Sequence, residues 1–275
     1  MTALITAPPR TPLARLRWAL ADGWTVTRRD LTHWRNQPLQ LVAGLLFSVM
    51  VLLMFGFLFG GAMFVPGGGD YREFLVPGVL ALTMVFGVET TFTAISTDAA
   101  RGVTDRFRSL PMAPSAVVLG RCTADLLSAV LTLAALVLAG LAMGWQWHNG
   151  VAGAFAAFAL LLFLRLAMLW LGIYLGLVLR SPEAVMALQI LVWPLGFLSS
   201  AFVAPATMPG WLAAVAEWNP LSATATAIRE LFGNPGWGGQ SWPSEHPVLL
   251  AVLWPLALTA VFCPLAIRGY RELSR

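Results

Sequence analysis

Long apolar runs alternate with short polar ones along the whole chain. Six runs are apolar enough over enough residues to predict bilayer-crossing helices: Leu39–Gly60, Phe74–Thr97, Ala116–Gly144, Ala152–Leu179, Ala184–Val203 and Val248–Ile267. About 20 apolar residues, at roughly 1.5 Å each, cover the hydrocarbon core. The connectors are short where they are plain: Gly61–Glu73 holds a GGG triplet, Trp145–Gly150 is charge-free with two tryptophans, and Arg180–Glu183 is a tight turn. The connector over residues 204–247 has a pattern of its own. Trp211, Leu212, Val215 and Trp218 share a helical face, Asn219-Pro220 breaks it, and Ser222 is placed to cap a second short helix over Ala223–Phe232. Helices this short cannot cross a bilayer. The pattern predicts an external re-entrant pair buried against protein, with a plain external loop as the alternative.

Two segments mix apolar and charged positions. Residues 1–12, rich in Pro, Thr and Ala, read as a disordered tail. Over residues 13–36, Leu16, Leu20, Trp24, Val26, Leu31 and Trp34 interleave with Arg15, Arg17, Arg28, Arg29 and Arg35. That is the pattern of an amphipathic interfacial helix, or else of a basic tail before the first span. Between the second and third runs lies DAARGVTDRFRSLP, residues 98–111. Val103, Phe107 and Leu110 share one helical face, Arg101, Asp105, Arg106 and Arg108 project elsewhere, and Pro111 with Pro114 ends the helix. The segment 98–112 therefore reads as a short amphipathic helix on the membrane surface. Its periodicity alone favours a solvated connector, with a docking element anchored by Phe107 as the alternative.

Composition and charge give these elements a class and an orientation. With 58% hydrophobic residues, 11% charged and a mean hydropathy of +0.76, the chain lies outside the soluble range. The fold class predicted is an all-α polytopic membrane protein, a single transmembrane domain over residues 13–275. All 17 basic residues are arginine. Fourteen fall on the side of the termini and the 98–112 connector, against Arg72 and Arg229 on the other, with Arg165 inside a span. The positive-inside rule then puts both termini in the cytoplasm. The basic balance, pI about 9.8, is thus read as facing anionic lipid rather than nucleic acid. No apolar h-region follows Met1, so the first span is expected to direct insertion. Cys122 and Cys263 fall near cytoplasmic span ends, which argues against a disulfide.

No nucleotide-binding loop, zinc-protease, serine-hydrolase or Cys-x-x-Cys motif occurs, and His33, His148 and His246 are too dispersed for a shared metal. Ionisable residues inside spans are costly and need partners. Glu89 and Arg165 differ in depth by about four residues, or roughly 6 Å. They are predicted to pair, either locking two helices or forming a polar patch on a translocation path. Asp125 is expected to be satisfied by Arg121, one turn earlier. Thr90, Thr91 and Thr93 are read as bonding backbone carbonyls. Gly140, Gly144, Gly172 and Gly176 have the spacing that permits close helix approach.

Two motifs in this order, RGVTDRFRSLPMAPSAVVLGR and SSAFVAPATMPGWLAAVAEWNPLSATATAIRELF, on opposite sides of the membrane, give the chain a family resemblance. It resembles the type-2 permeases of ATP-binding-cassette exporters, especially the daunorubicin-resistance-like drug-efflux permeases, over essentially its whole length. The resemblance implies a non-catalytic membrane subunit in a bacterial inner membrane, paired with a second copy or a homologue and with two cytoplasmic ATPase subunits. ATP and Mg²⁺ would reside on that partner ATPase, and no cofactor on this chain. It also implies that 98–112 is the coupling helix, with Arg101, Gly102, Asp105, Arg106, Phe107, Arg108 and Leu110 receiving the ATPase stroke. The segment 13–36 becomes the connecting helix beside it. The substrate implied is a hydrophobic drug or lipid. Phe86, Glu89, Phe92, Phe197 and Phe202, on the second and fifth spans, are the expected liners of its path. The rivals are a polysaccharide or cell-envelope lipid exporter of the same superfamily, a membrane-embedded enzyme using Glu89 and Asp125, and an ATP-independent channel or carrier.

Overall fold

A computed structural model of the chain describes residues 18, 21–25, 27–29, 31–32, 36, 38–61, 63, 65, 68–100, 116–179 and 181–272. All six apolar runs are helical. They form α1 (Pro38–Leu58), the pair α2 (Tyr71–Val85) and α3 (Gly87–Ala100), α4 (Ala116–Ala142), α5 (Gly150–Val178), α6 (Pro182–Phe197) and α10 (Pro247–Glu272). Between α6 and α10 lie α7 (Gly210–Glu217), α8 (Pro220–Phe232) and the single turn α9 (Trp242–Glu245). Among the described residues, four helices are long and apolar enough to cross a membrane: Tyr71–Asp98, Val118–Ala142, Gly150–Val178 and Pro247–Gly269. The expected first and fifth spans are shorter apolar helices, Val42–Leu58 and Glu183–Phe197.

The α2–α3 unit is the centre of the bundle and α10 its rim. In their most apolar windows, 78% of the first is buried in protein against 17% of the second. In lipid, apolar burial alone gives helices little reason to associate, so packing and small residues carry the assembly. The core is correspondingly dense around Leu75, Leu80, Leu82, Met84, Leu136 and Leu161. Close approach is most evident where α5 meets α3. A Cβ at Gly172 would fall 2.8 Å from the Val88 carbonyl, and one at Gly176 would fall 2.7 Å from the Ile95 side chain. Gly140 packs on Val76 and Trp145, whereas Gly144 sits in the turn after α4 at φ +95° with open space around it. Gly144 is therefore a turn residue rather than part of a packing stripe.

Three boundaries differ from the sequence expectation. The second span is interrupted at Phe86, between α2 and α3. The fifth helix ends at Phe197, so Phe202 lies in a turn beyond it. It stops there because the Asn219 side-chain amide donates to the Leu195 and Leu198 carbonyls, taking up the end of the helix. The second short connector helix, α8, starts at Pro220, capped by Asn219, whose side chain accepts from the Leu221 N–H. Ser222, the expected cap, instead accepts from the Ser200 N–H. Gly233, at φ +73°, ends α8 in the left-handed conformation that favours glycine.

Candidate functional site

The polar centre of the bundle is built where α3, α4 and α5 meet. Arg165, near the middle of α5, donates from Nε to Asp125 Oδ2 at 2.7 Å and from Nη2 to Asp125 Oδ1 at 2.5 Å. It also donates to Thr90 Oγ at 3.3 Å, and Thr91 Oγ donates to Asp125 Oδ1 at 3.4 Å. The pair is almost closed to solvent, with side chains 8% and 12% exposed. Gly87 makes room for it, since a Cβ there would overlap the guanidinium. The expected Glu89–Arg165 pair is thus corrected: Arg165 belongs to Asp125. Depth was matched in that expectation, but helical phase was not. Val88, Thr91, Phe92 and Ile95 form the buried face of α3, and Val88, Thr91 and Ile95 meet the α5 glycines there. Glu89, one residue after Val88, is turned about 100° away from that line.

The expected Arg121–Asp125 contact is corrected as well. Arg121 donates from Nη1 to Asp98 Oδ2 at 3.0 Å, and Arg29 approaches Asp98 Oδ1 at 3.6 Å. Thr27 Oγ donates to the Gly120 carbonyl at 3.1 Å. This end of the bundle therefore ties the end of α3, the start of α4 and the N-terminal segment together. Arg101, Gly102, Asp105, Arg106, Phe107, Arg108 and Leu110, the expected coupling residues, lie outside the described residues. The Asp98–Arg121 pair joins the described chain on either side of them, the end of α3 and the start of α4.

Glu89 opens onto a cleft against α6. The cleft has a volume of about 390 Å³ and is lined by Glu89, Met186, Gln189, Ile190 and Trp193. Trp193 joins it to a chain of rings: Phe86 lies 4.8 Å from Trp193 and Phe47 lies 5.9 Å from it, edge-on. Phe197 stacks on both Trp193 and Phe202, and Phe202 meets Phe55 at 4.4 Å. Of the five expected path liners, Phe86, Glu89, Phe197 and Phe202 fall along this one aromatic seam. Phe92 does not, being fully buried on the α5-facing side of α3. Trp193, Gln189, Phe47 and Phe55 went unrecognised in the sequence, although Trp193 sits one helical turn before Phe197 on the same face.

The end of the bundle that carries α8 is held by a buried cation. Arg229 is 0% exposed and packs over the Phe74 ring at 3.6 Å. Its Nε donates to the Phe74 carbonyl at 2.9 Å, and its Nη2 donates to the Ser200 and Ala201 carbonyls at 2.8 and 3.2 Å. Burial pushes this guanidinium down to about 9, with Tyr71 opposing the shift. It stays protonated at neutral pH and pins α8 to α2 and to the turn after α6. Around it, His148 meets Glu73 at 3.0 Å and Trp145 Nε1 donates to Asn234 Oδ1 at 2.9 Å.

An all-helical apolar bundle with a polar lock, a lateral aromatic cleft and closely knit ends agrees with what comparison with known proteins finds. Residues 22–232 match the family model described as ABC-2 type transporter. The chain is 37% identical to the daunorubicin resistance ABC transporter permease protein DrrB1 of Streptomyces coeruleorubidus, over 97% of this chain and 96% of that protein. It is 30% identical to the putative transport permease ycf38 of Porphyra purpurea, over 77% of this chain and 74% of that one. It is 22% identical to the probable doxorubicin resistance ABC transporter permease protein DrrC of Mycobacterium tuberculosis (strain CDC 1551 / Oshkosh), over 98% and 95% of the two chains. With its family model covering most of its length and relatives aligned nearly end to end, the chain belongs to the ABC-2 type transporter family, as a membrane-embedded permease.

Proposed function

We infer that this permease moves hydrophobic, drug-like or lipid substrates out of a bacterial cell across its inner membrane, driven by ATP hydrolysis on two separate cytoplasmic ATPase subunits. The observation that carries this reading is the near end-to-end likeness to a daunorubicin resistance permease. Two permease chains, identical or homologous, form the working unit, each crossing the membrane six times with both termini in the cytoplasm. The shorter helices α1 and α6 complete the crossings, and α7 and α8 dip into the outer leaflet as the re-entrant pair.

The geometry supports a division of labour. The segment 98–112 receives the ATPase stroke through Phe107 and its charged rim of Arg101, Asp105, Arg106 and Arg108. The Asp98–Arg121 pair joins the two roots of that segment, so its displacement is passed to α3 and α4 together. The aromatic seam along α6, from Trp193 to Phe202, offers apolar substrate a surface that alternately faces in and out. ATP and Mg²⁺ are held by the partner subunits.

The test is a susceptibility and efflux assay in a drug-sensitive bacterial host. Expressing the chain together with a partner ATP-binding-cassette ATPase should raise doxorubicin tolerance and lower its accumulation. Expressing it with an ATPase whose nucleotide-binding lysine is replaced should do neither. Equal protection with both ATPases would contradict the reading.

A further inference from the structure

The cleft between α3 and α6 contains one ionisable side chain, that of Glu89, among Met186, Gln189, Ile190 and Trp193. Its volume of about 390 Å³ is in the range of sites for drug-sized ligands. Three observations set the sign of the charge it can accept. The cation of the same region, Arg165, is consumed by Asp125 through two hydrogen bonds and by Thr90 through a third. Among the described residues no ion pair includes Glu89. The remaining polar group on the wall, the Gln189 amide, is neutral. A carboxylate at bilayer depth without a cation nearby is costly, and a ligand bringing positive charge offsets that cost.

The walls fit the rest of such a ligand. Trp193, its ring tilted over Phe86 at 4.8 Å, presents the strongest cation–π face among side chains and a flat apolar slab. Met186 and Ile190 are 63% and 68% exposed, a polarizable and adaptable apolar surface beside the carboxylate. We propose that this cleft recognises amphipathic organic cations, with the ammonium or iminium group on Glu89 and the apolar ring system against Trp193, Met186 and Ile190. The assignment rests on reading the chain as an exporter permease, and it gives that permease a preferred substrate charge.

The experiment is equilibrium binding to the full chain in phosphatidylcholine nanodiscs, free of anionic lipid. The probes are rhodamine 6G, a cation, and Nile red, which is neutral. Wild type, Glu89→Gln and Glu89→Asp are compared. The rhodamine 6G dissociation constant should rise about tenfold or more in Glu89→Gln, the equivalent of at least about 1.4 kcal/mol. It should rise less in Glu89→Asp, and Nile red affinity should be alike in all three, which also reports intact folding. Unchanged rhodamine 6G affinity in Glu89→Gln overturns the assignment, as does parallel loss of both probes. A cation carried by a second copy of the chain as the true partner of Glu89 would give the latter result, together with loss of the dimer. Because the assay contains no ATPase, it is separable from the exporter reading. Failure of wild-type efflux contradicts that reading alone, and efflux with charge-indifferent binding contradicts the cation assignment alone.

Discussion

Arg165 on α5 and Asp125 on α4 form a two-bonded ion pair, with N–O distances of 2.7 and 2.5 Å, inside a bundle of otherwise apolar helices. Its worth is conditional. Removing both charges costs little if packing is kept, whereas removing one strands the other. Asp125→Asn and Arg165→Met should each destabilise the detergent-solubilised protein by about 3–5 kcal/mol. The Asp125→Asn/Arg165→Met double variant should recover much of that loss. Thermal unfolding followed by size-exclusion chromatography reads the comparison. Glu89→Gln should leave the melting point close to wild type, because Glu89 takes no part in the pair.

Arg229, on α8, makes a second prediction. Its fork serves the Phe74, Ser200 and Ala201 carbonyls at once. A lysine places one point charge on a flexible stem and cannot reproduce that geometry. Arg229→Lys should therefore behave almost as badly as Arg229→Met, each losing about 3 kcal/mol from carbonyls left without donors. Full stability in Arg229→Lys, measured by the same melting assay, would show that charge rather than geometry holds α8 in place.

The glycines of α5 test the packing. A Cβ at Gly176 would meet Ile95 at 2.7 Å, whereas one at Gly44 on α1 would meet nothing within 4 Å. Gly176→Ala should cost about 1–3 kcal/mol by overpacking, and Gly44→Ala should be neutral or mildly stabilising. The two melting curves, taken side by side, check this.

The Asp98–Arg121 pair, its side chains 22% and 17% exposed, should matter more for coupling than for stability. Asp98→Ala is expected to shift the melting point little while lowering drug transport per ATP hydrolysed severalfold. The Asp98→Arg/Arg121→Asp exchange should restore part of that ratio, as measured in vesicles carrying the ATPase. A large fall in melting point in Asp98→Ala with transport per ATP unchanged would make the pair a structural clasp alone.

The helical class was legible in the sequence because apolar run length is a direct consequence of bilayer thickness. The pairing of charges was not, and the reason is geometric. Matching Glu89 with Arg165 used rise per residue, which gives depth, but a contact also needs the azimuth of both helices. That follows only once Gly172 and Gly176 are seen to face Val88, Thr91 and Ile95. Asp125 was visible, yet an i, i+4 partner on its own helix, Arg121, was the nearer choice by sequence distance. Asp98, 23 positions from Arg121, captured that arginine instead. Helix ends set by distant groups were equally hidden, as when Asn219 closes α6 from across a turn. Phe202 was named from the sequence as a fifth-span liner, but it joins the seam from the turn past Phe197 rather than from the helix. Trp193 carried a signal that was overlooked: it precedes Phe197 by four residues on one helical face.

The central claim is that the chain transports drug when a partner ATPase drives it through the segment around Phe107. The direct measurement is doxorubicin uptake into inside-out vesicles bearing the chain and its ATPase, with and without ATP, for wild type and Phe107→Ala at equal membrane levels. The account predicts uptake that requires ATP and the ATPase, and a loss of most of it in Phe107→Ala with the variant still inserted. Uptake independent of ATP, or undiminished in Phe107→Ala, would contradict it.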